Sequence, residues 1–517
     1  MLYNFVYYVI SIKIKLLNLK LKKISTFVKD KKHSNSNWLT IKNVNYKSQF
    51  LLLFTFFSCT ISFASDTLPS ENVSQLLSQI LRFRSLSGHE KPVGKFLYNK
   101  SIEMGLSVHL FNDSDSSFNF SASLYPLEEQ KPNIVFLCHL DVVPAIDSAE
   151  WKHPPFSGEI IHDTVWGRGC LDMKGIGLMQ LEAVAAYLKE SKEKSLPYNF
   201  TVLFVSGEEN GGRNGAKLIT ENNLPLLNVS LIIGEGGAGL KGVLPSKPDK
   251  EVFFVSMAEK QSLWLKLSVH QKTHGHSSMP SSNTANRILI KAIDRIEDEK
   301  PIIIFDKTTK KMFRKLGKLN GGAQGFVLKN INGLFRPFRR KILSREPMLL
   351  NEVTNTIQLT NFSNPFGPPN VIPGTATAYF DCRLVPDVST KIFIRKLKLR
   401  IHNPKVEIET IDQSPDEVAS VPNEKYKAIK SALKKAYPDC AVLPVLFPAT
   451  TDNSYFRAKQ ITAYGLLPIE LNQQLIESVH SANECIPVST LNKGIEAYKL
   501  IIRELINTNE PKQLNKK

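Results

Sequence analysis

The feature that most constrains this chain is a series of short apolar runs that each end in glycine or a charged residue: "NIVFLCHLDVV", "NFTVLFVSGEE" and "VSLIIGEGG". Runs of this length, rich in Val, Ile, Leu and Phe without polar alternation, are strands buried on both faces. Around them, "VSQLLSQILRFRSL" and "LMQLEAVAAYLKE" repeat apolar residues at helical spacing. Strands alternating with helices predict an α/β fold, a mostly parallel sheet flanked by helices on both faces. In such sheets binding sites lie beyond the carboxyl ends of the strands, and that is where charged residues cluster here.

Near residue 256 the pattern changes. "QSLWLKLSVHQ" and "TATAYFDCRLVPD" alternate in polarity, and "NTANRILIKAIDRIED" between them is helical. A half-exposed antiparallel sheet with helices on one face is expected over 256–412. Helical spacing returns in "NEKYKAIKSALKKAYPD" and "LNKGIEAYKLIIRELI". The expected organisation is a first domain over 66–255 that resumes over 413–506, an inserted α+β domain over 256–412 and a polar tail over 507–517. A chain of 517 residues is long enough for two such cores.

The formal charge of +18 suggests nucleic-acid or membrane binding until it is mapped. Residues 1–48 hold ten Lys and one Asp, and residues 303–345 hold twelve Lys plus Arg and one Asp, which leaves the remainder at −2. The basicity is local, so no nucleic-acid partner is expected for the body of the protein. Within residues 1–65, the basic leader is followed by "FLLLFTFFSCTISFASD", a run too short to span a bilayer that ends in the small-x-small triplet Ser62-Phe63-Ala64. This reads as a secretory segment cleaved after Ala64, or as an uncleaved anchor, and places the protein in the periplasm or cell envelope. Outside it remain Cys138, Cys170, Cys382, Cys440 and Cys485, an odd number without a CxxC pair, so buried thiols are expected rather than a disulfide framework.

Five short segments at strand ends carry metal-binding residue types: "CHLDVVP" with His139 and Asp141, "GRGCLDMKG" with Asp172, "SGEENGG" with Glu208 and Glu209, "IIGEGGAG" with Glu235, and "SVHSANE" with His480. One alone says little, because a single polar residue at a strand end usually caps a turn. Five together, each beside Gly or small residues that admit close backbone approach, point to one site. Two imidazoles and three or four carboxylates suit zinc, manganese or cobalt better than calcium or copper. They exceed what one tetrahedral ion takes. Two ions roughly 3.5 to 4 Å apart that share a carboxylate would use them all.

These motifs, in this order, resemble the two-zinc amidohydrolases that include acetylornithine deacetylase, succinyl-diaminopimelate desuccinylase, aminoacylase and carboxypeptidase G. The resemblance covers roughly residues 75–505 and is nearest to the branch of carboxypeptidase S and the secreted N-fatty-acyl-amino-acid hydrolase. It rests on "HLDVVPA", "PPFSGEI", "VWGRGCLDMKG", "HGHSSMP", "NVIPGTATAYFDCRLVPD", "TDNSYF" and "HSANE". It implies that His139 and Glu235 hold one metal, Glu209 and His480 the other, and that Asp172 bridges them. Asp141 would orient His139, and the Asp172–Met173 peptide would be cis. Members of that branch often have Asp at the position of Gly234, so only Glu235 is available here. In the insertion, a lid or dimerisation domain by resemblance, His276 would reach the active site, often that of a second subunit, and bind the scissile carbonyl. Asn370 and Arg383 would bind substrate, and a guanidinium is suited to a terminal carboxylate.

Amide hydrolysis needs a group that takes a proton from water and returns it to the departing nitrogen. Glu208 is the candidate, leaving the strand on the face opposite Glu209. The leading expectation is therefore an exported two-zinc carboxypeptidase or aminoacylase acting on N-acyl amino acids or small peptides, with a homodimer implied by the family. A two-metal aminopeptidase or dipeptidase, and a non-catalytic binding protein of the same fold, are the alternatives. The basic stretch 303–345 reads either as an element contacting anionic lipid or as a solvated lid face.

Overall fold

A computed structural model describes residues 70–508 except 147, 191–194, 273–275, 279–280, 299, 366 and 417. The basic leader, the apolar segment read as secretory and most of the polar tail lie outside the described residues. Three sheets organise the rest. Strands β1 (Ser107–Asp113), β2 (Phe118–Ser123), β3 (Asn133–His139), β6 (Asn199–Val205), β7 (Val229–Leu240), β8 (Val252–Glu259), β13 (Ala441–Phe447) and β14 (Ala463–Leu471) form an eight-stranded sheet in the order β1-β2-β6-β3-β7-β14-β8-β13. Its centre, β6-β3-β7-β14, is parallel, whereas β1 and β2 are antiparallel additions at one edge. The fold is α/β with a mostly parallel sheet flanked by helices.

The sequence of β3 shows why it sits at the centre. Every residue of it is buried, but alternate side chains leave opposite faces. Ile134, Phe136 and Cys138 enter a core shared with the helices Lys174–Glu190, Glu424–Ala436 and Val488–Ile506. Val135 and Leu137 enter a second core on the other face with Ala216, Ile219 and Phe456. Helix Lys174–Glu190 packs closely behind β3, where a side-chain carbon on Gly177 would overlap the Cys138 thiol. All five cysteines of the described residues are free and buried.

Between β8 and β13 the chain builds a four-stranded antiparallel sheet from β9 (Gln261–His270), β10 (Thr356–Ser363), β11 (Thr375–Leu384) and β12 (Val406–Gln413), in the order β10-β11-β9-β12. The alternation read from β9 and β11 is the burial pattern observed. Their inward residues meet the helices Ala285–Glu297 and Thr390–Ile401. The basic stretch behaves differently from a simple extension of this sheet. Its helix Lys307–Asn320 packs Met312, Phe313 and Leu316 against Leu443 and Val445 of β13, at the edge of the large sheet. A small antiparallel sheet, β15 (Cys485–Pro487), β5 (Thr164–Trp166) and β4 (Glu159–Ile161), joins the chain end to the loop before Asp172.

Candidate metal centre

β3 ends on His139, and the chain beyond it carries Asp141 under the same sheet edge. The His139 Nδ1 lies 2.9 Å from the backbone carbonyl of Asp141 and 3.6 Å from its carboxylate. Nδ1–H therefore donates to the carbonyl, which aims Nε2 at the carboxylate of Asp172. The Asp141 carboxylate instead accepts the Glu208 and Glu209 amides, both at 3.1 Å, and the Ser87 hydroxyl at 2.6 Å. Its orienting effect on the imidazole thus runs mainly through the main chain, while its side chain fixes the adjacent glutamates.

Those glutamates are not on the strand. β6 stops at Val205, Gly207 takes a left-handed turn with φ 75°, and Glu208–Asn210 form a 3-10 turn. Successive residues of such a turn point about 120° apart, so Glu208 and Glu209 diverge for a different reason than strand alternation. Glu235 projects from β7, and Asp172 follows the loop entering helix Lys174–Glu190. The Asp172–Met173 peptide is cis.

Asp172 sits between both imidazoles. Its Oδ1 is 3.2 Å from His139 Nε2, and its Oδ2 is 2.9 Å from His480 Nε2. His480 Nε2 also lies 3.2 Å from Glu209 Oε1. His480 adopts φ 59°, a left-handed conformation that non-glycine residues adopt mainly at constrained functional positions. Three sets of ligand atoms lie close enough to hold an ion: His139, Asp172 and Glu235; Asp172, Glu209 and His480; and His139, Glu208 and Glu209. The first two share Asp172. The five residues expected as ligands are therefore brought together, with Glu208 beside them.

The electrostatics fit a cation. Burial pushes the Glu235 carboxyl up to about 8, with the Asp172 charge adding to it. Burial likewise raises Glu208 well above the usual range, against the pull of His139. Asp172 would also rise on burial, but hydrogen bonds from His139 and His480 hold it well below the usual carboxylate range. Burial opposes protonation of His480, yet Asp172 and Glu209 push it up to about 10. So many buried carboxylates around so few positive groups is an arrangement that divalent ions would neutralise.

Several residues of this centre belong to motifs whose part in the site the sequence does not reveal. Glu484 of "HSANE" is fully buried, and its carboxylate accepts the Gly169, Leu171 and Asp172 amides at 2.9, 2.9 and 3.1 Å and pairs with Arg168 at 2.7 Å. Thr451, Asp452 and Asn453 of "TDNSYF" line a small cavity with His139, Glu208 and Glu235. A buried Glu259–Arg457 pair, 3.0 Å apart, holds that turn, because Glu259 also accepts from the Thr451 amide and hydroxyl. The Asn453 amide donates to the Glu235 carbonyl at 2.7 Å and fills the space a side chain at Gly234 would need. An aspartate at Gly234 would not fit this backbone.

The three expected substrate-binding residues lie in the insertion. Arg383 on β11 bonds Asp381 at 3.0 Å and the Thr450 hydroxyl at 3.2 Å, next to the Thr451–Asn453 turn. His276 and Asn370 are exposed and bond each other at 3.1 Å. The other partner of His276 is Ser278. Among the described residues, these two form no hydrogen bond to the cluster of the same chain.

Comparison with known proteins agrees with this geometry. A family profile described as peptidase family M20/M25/M40 matches residues 135–504. The chain is 28% identical over 383 residues to a probable carboxypeptidase S-like 2 of Dictyostelium discoideum, covering 73% of this chain and 72% of that protein. It is 27% identical over 398 residues to the N-fatty-acyl-amino acid synthase/hydrolase PM20D1 of Mus musculus, covering 75% and 78%. The fold matches an M20 family metallo-carboxypeptidase, Sso-CP2, from Sulfolobus solfataricus with a TM-score of 0.64 at 18% identity, over 84% of this chain and 99% of that one. Human carnosine dipeptidase 1 follows with a TM-score of 0.63 at 15% identity, over 85% and 97%.

Proposed function

This chain is a hydrolase belonging to peptidase family M20/M25/M40, and we propose that it is an exported, metal-dependent enzyme that cleaves the amide bond of N-acyl amino acids or small peptides with a free carboxylate. The observation that carries this reading is Asp172, whose two oxygens face His139 and His480 separately. Two divalent ions, zinc by this reading with cobalt or manganese as alternatives, would bind at His139–Asp172–Glu235 and Asp172–Glu209–His480. When bound, they supply Lewis acidity and a water whose pKa is lowered from 15.7 to about 7.

The protein's own groups do the rest. Glu208, beside His139 and Glu209, would accept a proton from the attacking water and deliver it to the departing nitrogen. Burial favours its protonated form, which suits the second task. Arg383, whose Nε and Nη2 hold Asp381 and whose Nη1 holds Thr450, would receive the substrate carboxylate with its remaining Nη–H donors. Asn370 and His276 bind the substrate carbonyl region from a second copy of the chain, through a homodimer formed by the inserted domain 256–412. Their exposure and mutual hydrogen bond support this arrangement. Export rests on the apolar segment ending at Ala64; mass spectrometry of protein recovered from the cell envelope should find Ser65 as the first residue.

The deciding experiment is hydrolysis of N-acetyl, N-long-chain-acyl and dipeptide substrates, with and without a chelator. Cleavage of N-acyl substrates, lost on chelation and regained with zinc, is expected. An aminopeptidase needs a free amine, so cleavage of dipeptides alone would move the assignment to that alternative. No cleavage of any substrate by metal-loaded protein would leave only the binding-protein alternative.

A further inference from the structure

We propose that the segment Lys307–Arg345 is a docking surface for an anionic lipid bilayer. The proposal does not depend on the reading of the active site. Between these residues stand twelve Lys and Arg and not one Asp or Glu. Eleven of the twelve are exposed, Arg339 being half-buried. Several lysines elsewhere pair with an acid one turn away, as in Lys100–Glu103, Lys427–Glu424 and Lys499–Glu496. Here no carboxylate among the described residues forms an ion pair with any of the twelve. The cations act on each other instead, Lys311 and Lys430 lowering Lys315, and Arg336 and Arg340 lowering Arg339, in both cases after burial. A surface that repels itself in this way is complementary to a dense array of negative charge.

The apolar residues distinguish lipid from other polyanions. The segment already has a core, in which Met312, Phe313, Leu316, Ile331 and Leu343 cluster with Leu443 and Val445 of β13. Three further large side chains are left outside it: Phe326, Leu334 and Phe338, 54%, 68% and 62% exposed. They are held near one another, because Phe335 meets the Phe326 ring edge-on at 6.1 Å and its carbonyl accepts the Phe338 amide at 3.0 Å. Arg339 and Arg340 fix the turn through bonds to Asn332 at 2.9 Å and to the Pro301 carbonyl at 2.8 Å. Aromatic and leucine side chains beside cations suit the boundary between headgroups and acyl chains. A nucleic-acid backbone would use the cations and leave the apolar trio unexplained. Among the described residues no helix is long and apolar enough to cross a membrane.

The test is co-sedimentation of the full chain with phosphatidylcholine vesicles, with and without phosphatidylglycerol, at low and high salt. The N-terminal apolar segment is common to all variants, so differences between variants report this surface. Binding should favour the anionic vesicles and weaken with salt. Arg336→Glu/Lys341→Glu should lower the partition coefficient on the order of tenfold or more. Leu334→Ser/Phe338→Ser should lower it with the charge unchanged. Melting temperatures and peptidase activity in solution should stay at parental values in both. Should either double variant fail to fold, Lys310→Gln/Lys311→Gln on the exposed side of helix Lys307–Asn320 takes its place. Parental binding by the folded charge variant would overturn the proposal. So would a surface that retains heparin and anionic vesicles alike after loss of Leu334 and Phe338, since that result identifies a general polyanion site.

Discussion

The carboxylate of Glu484 accepts the backbone N–H of Asp172 at 3.1 Å across a separation of 312 residues. It holds Leu171 and Gly169 in the same way and neutralises Arg168. The aim of the shared carboxylate is thus set from the far end of the chain.

Glu484→Ala would leave a buried guanidinium and three amides without their acceptor. Loss of about 3–5 kcal/mol of stability is expected, read as a lower midpoint in urea unfolding. Glu484→Gln, which keeps the shape and part of the hydrogen bonding, should lose less. Equal midpoints for parent and Glu484→Ala would mean the loop is held by other contacts.

Glu208→Gln keeps size and removes the titratable proton. Turnover should fall by roughly 10²–10⁴, while metal content by elemental analysis stays at the parental value. Glu209→Ala and His480→Ala should instead lose bound metal. Near-parental turnover in Glu208→Gln would assign the proton transfer to another group.

Arg383→Ala should raise KM about 10- to 100-fold for substrates with a free carboxylate, the effect of losing about 1.5–3 kcal/mol of charged hydrogen bonding. Carboxamide-capped analogues should not distinguish parent from variant. A KM effect that persists on the capped analogues would point to disturbed packing around Asp381 and Thr450 instead.

Glu90 offers a pH prediction. It is fully buried, and burial together with the Asp141 charge pushes it up to about 7 from 4.5, against partial opposition from the Gly88, Glu90 and Gly207 amides. Between those values the folded chain holds a proton that the unfolded chain has released. Stability therefore falls as pH rises from about 4.5 to about 7, by roughly 3 kcal/mol. Glu90→Gln should flatten this part of the profile, seen as a smaller difference between urea midpoints at about pH 5 and about pH 8. An unchanged slope would exclude Glu90 as its origin.

The parts of the fold and site that were legible share one property: their signal is local. β3, β6 and β7 announce themselves as apolar runs, and His139, Glu209 and Glu235 stand just past or within them beside small residues. β9 and β11 show their buried and exposed faces by alternation. What could not be read depends on distant partners. Glu484 looks like any acid in a loop until it is seen to gather four groups around Gly169–Asp172. Asn453 reveals its purpose only against Gly234, and Glu90 only behind Asp141. The divergence of Glu208 and Glu209 was expected from strand geometry, but Gly207 ends the strand first, so a 3-10 turn separates them. The charge of the basic stretch was plain, whereas its attachment to β13 depends on Leu443 and Val445, about a hundred residues further on.

The junction at Lys260, the single residue between β8 and β9, bears on the order in which the molecule assembles. β8 waits for β13, pairing Val252 with Ala441, and a gap of that size is entropically costly to close and slow to find. The intervening sheet offers a shortcut, because its first and last strands are neighbours, with Leu263 opposite Gln413. Once that small sheet has formed, the two ends of the excursion already lie side by side. To the larger sheet, the whole insertion then acts as a short loop, and helix Glu424–Ala436 supplies the crossover that brings β13 back parallel to β8. Since the insertion leaves the ribosome before β13 does, vectorial synthesis supplies the pieces in the order that makes closure easiest.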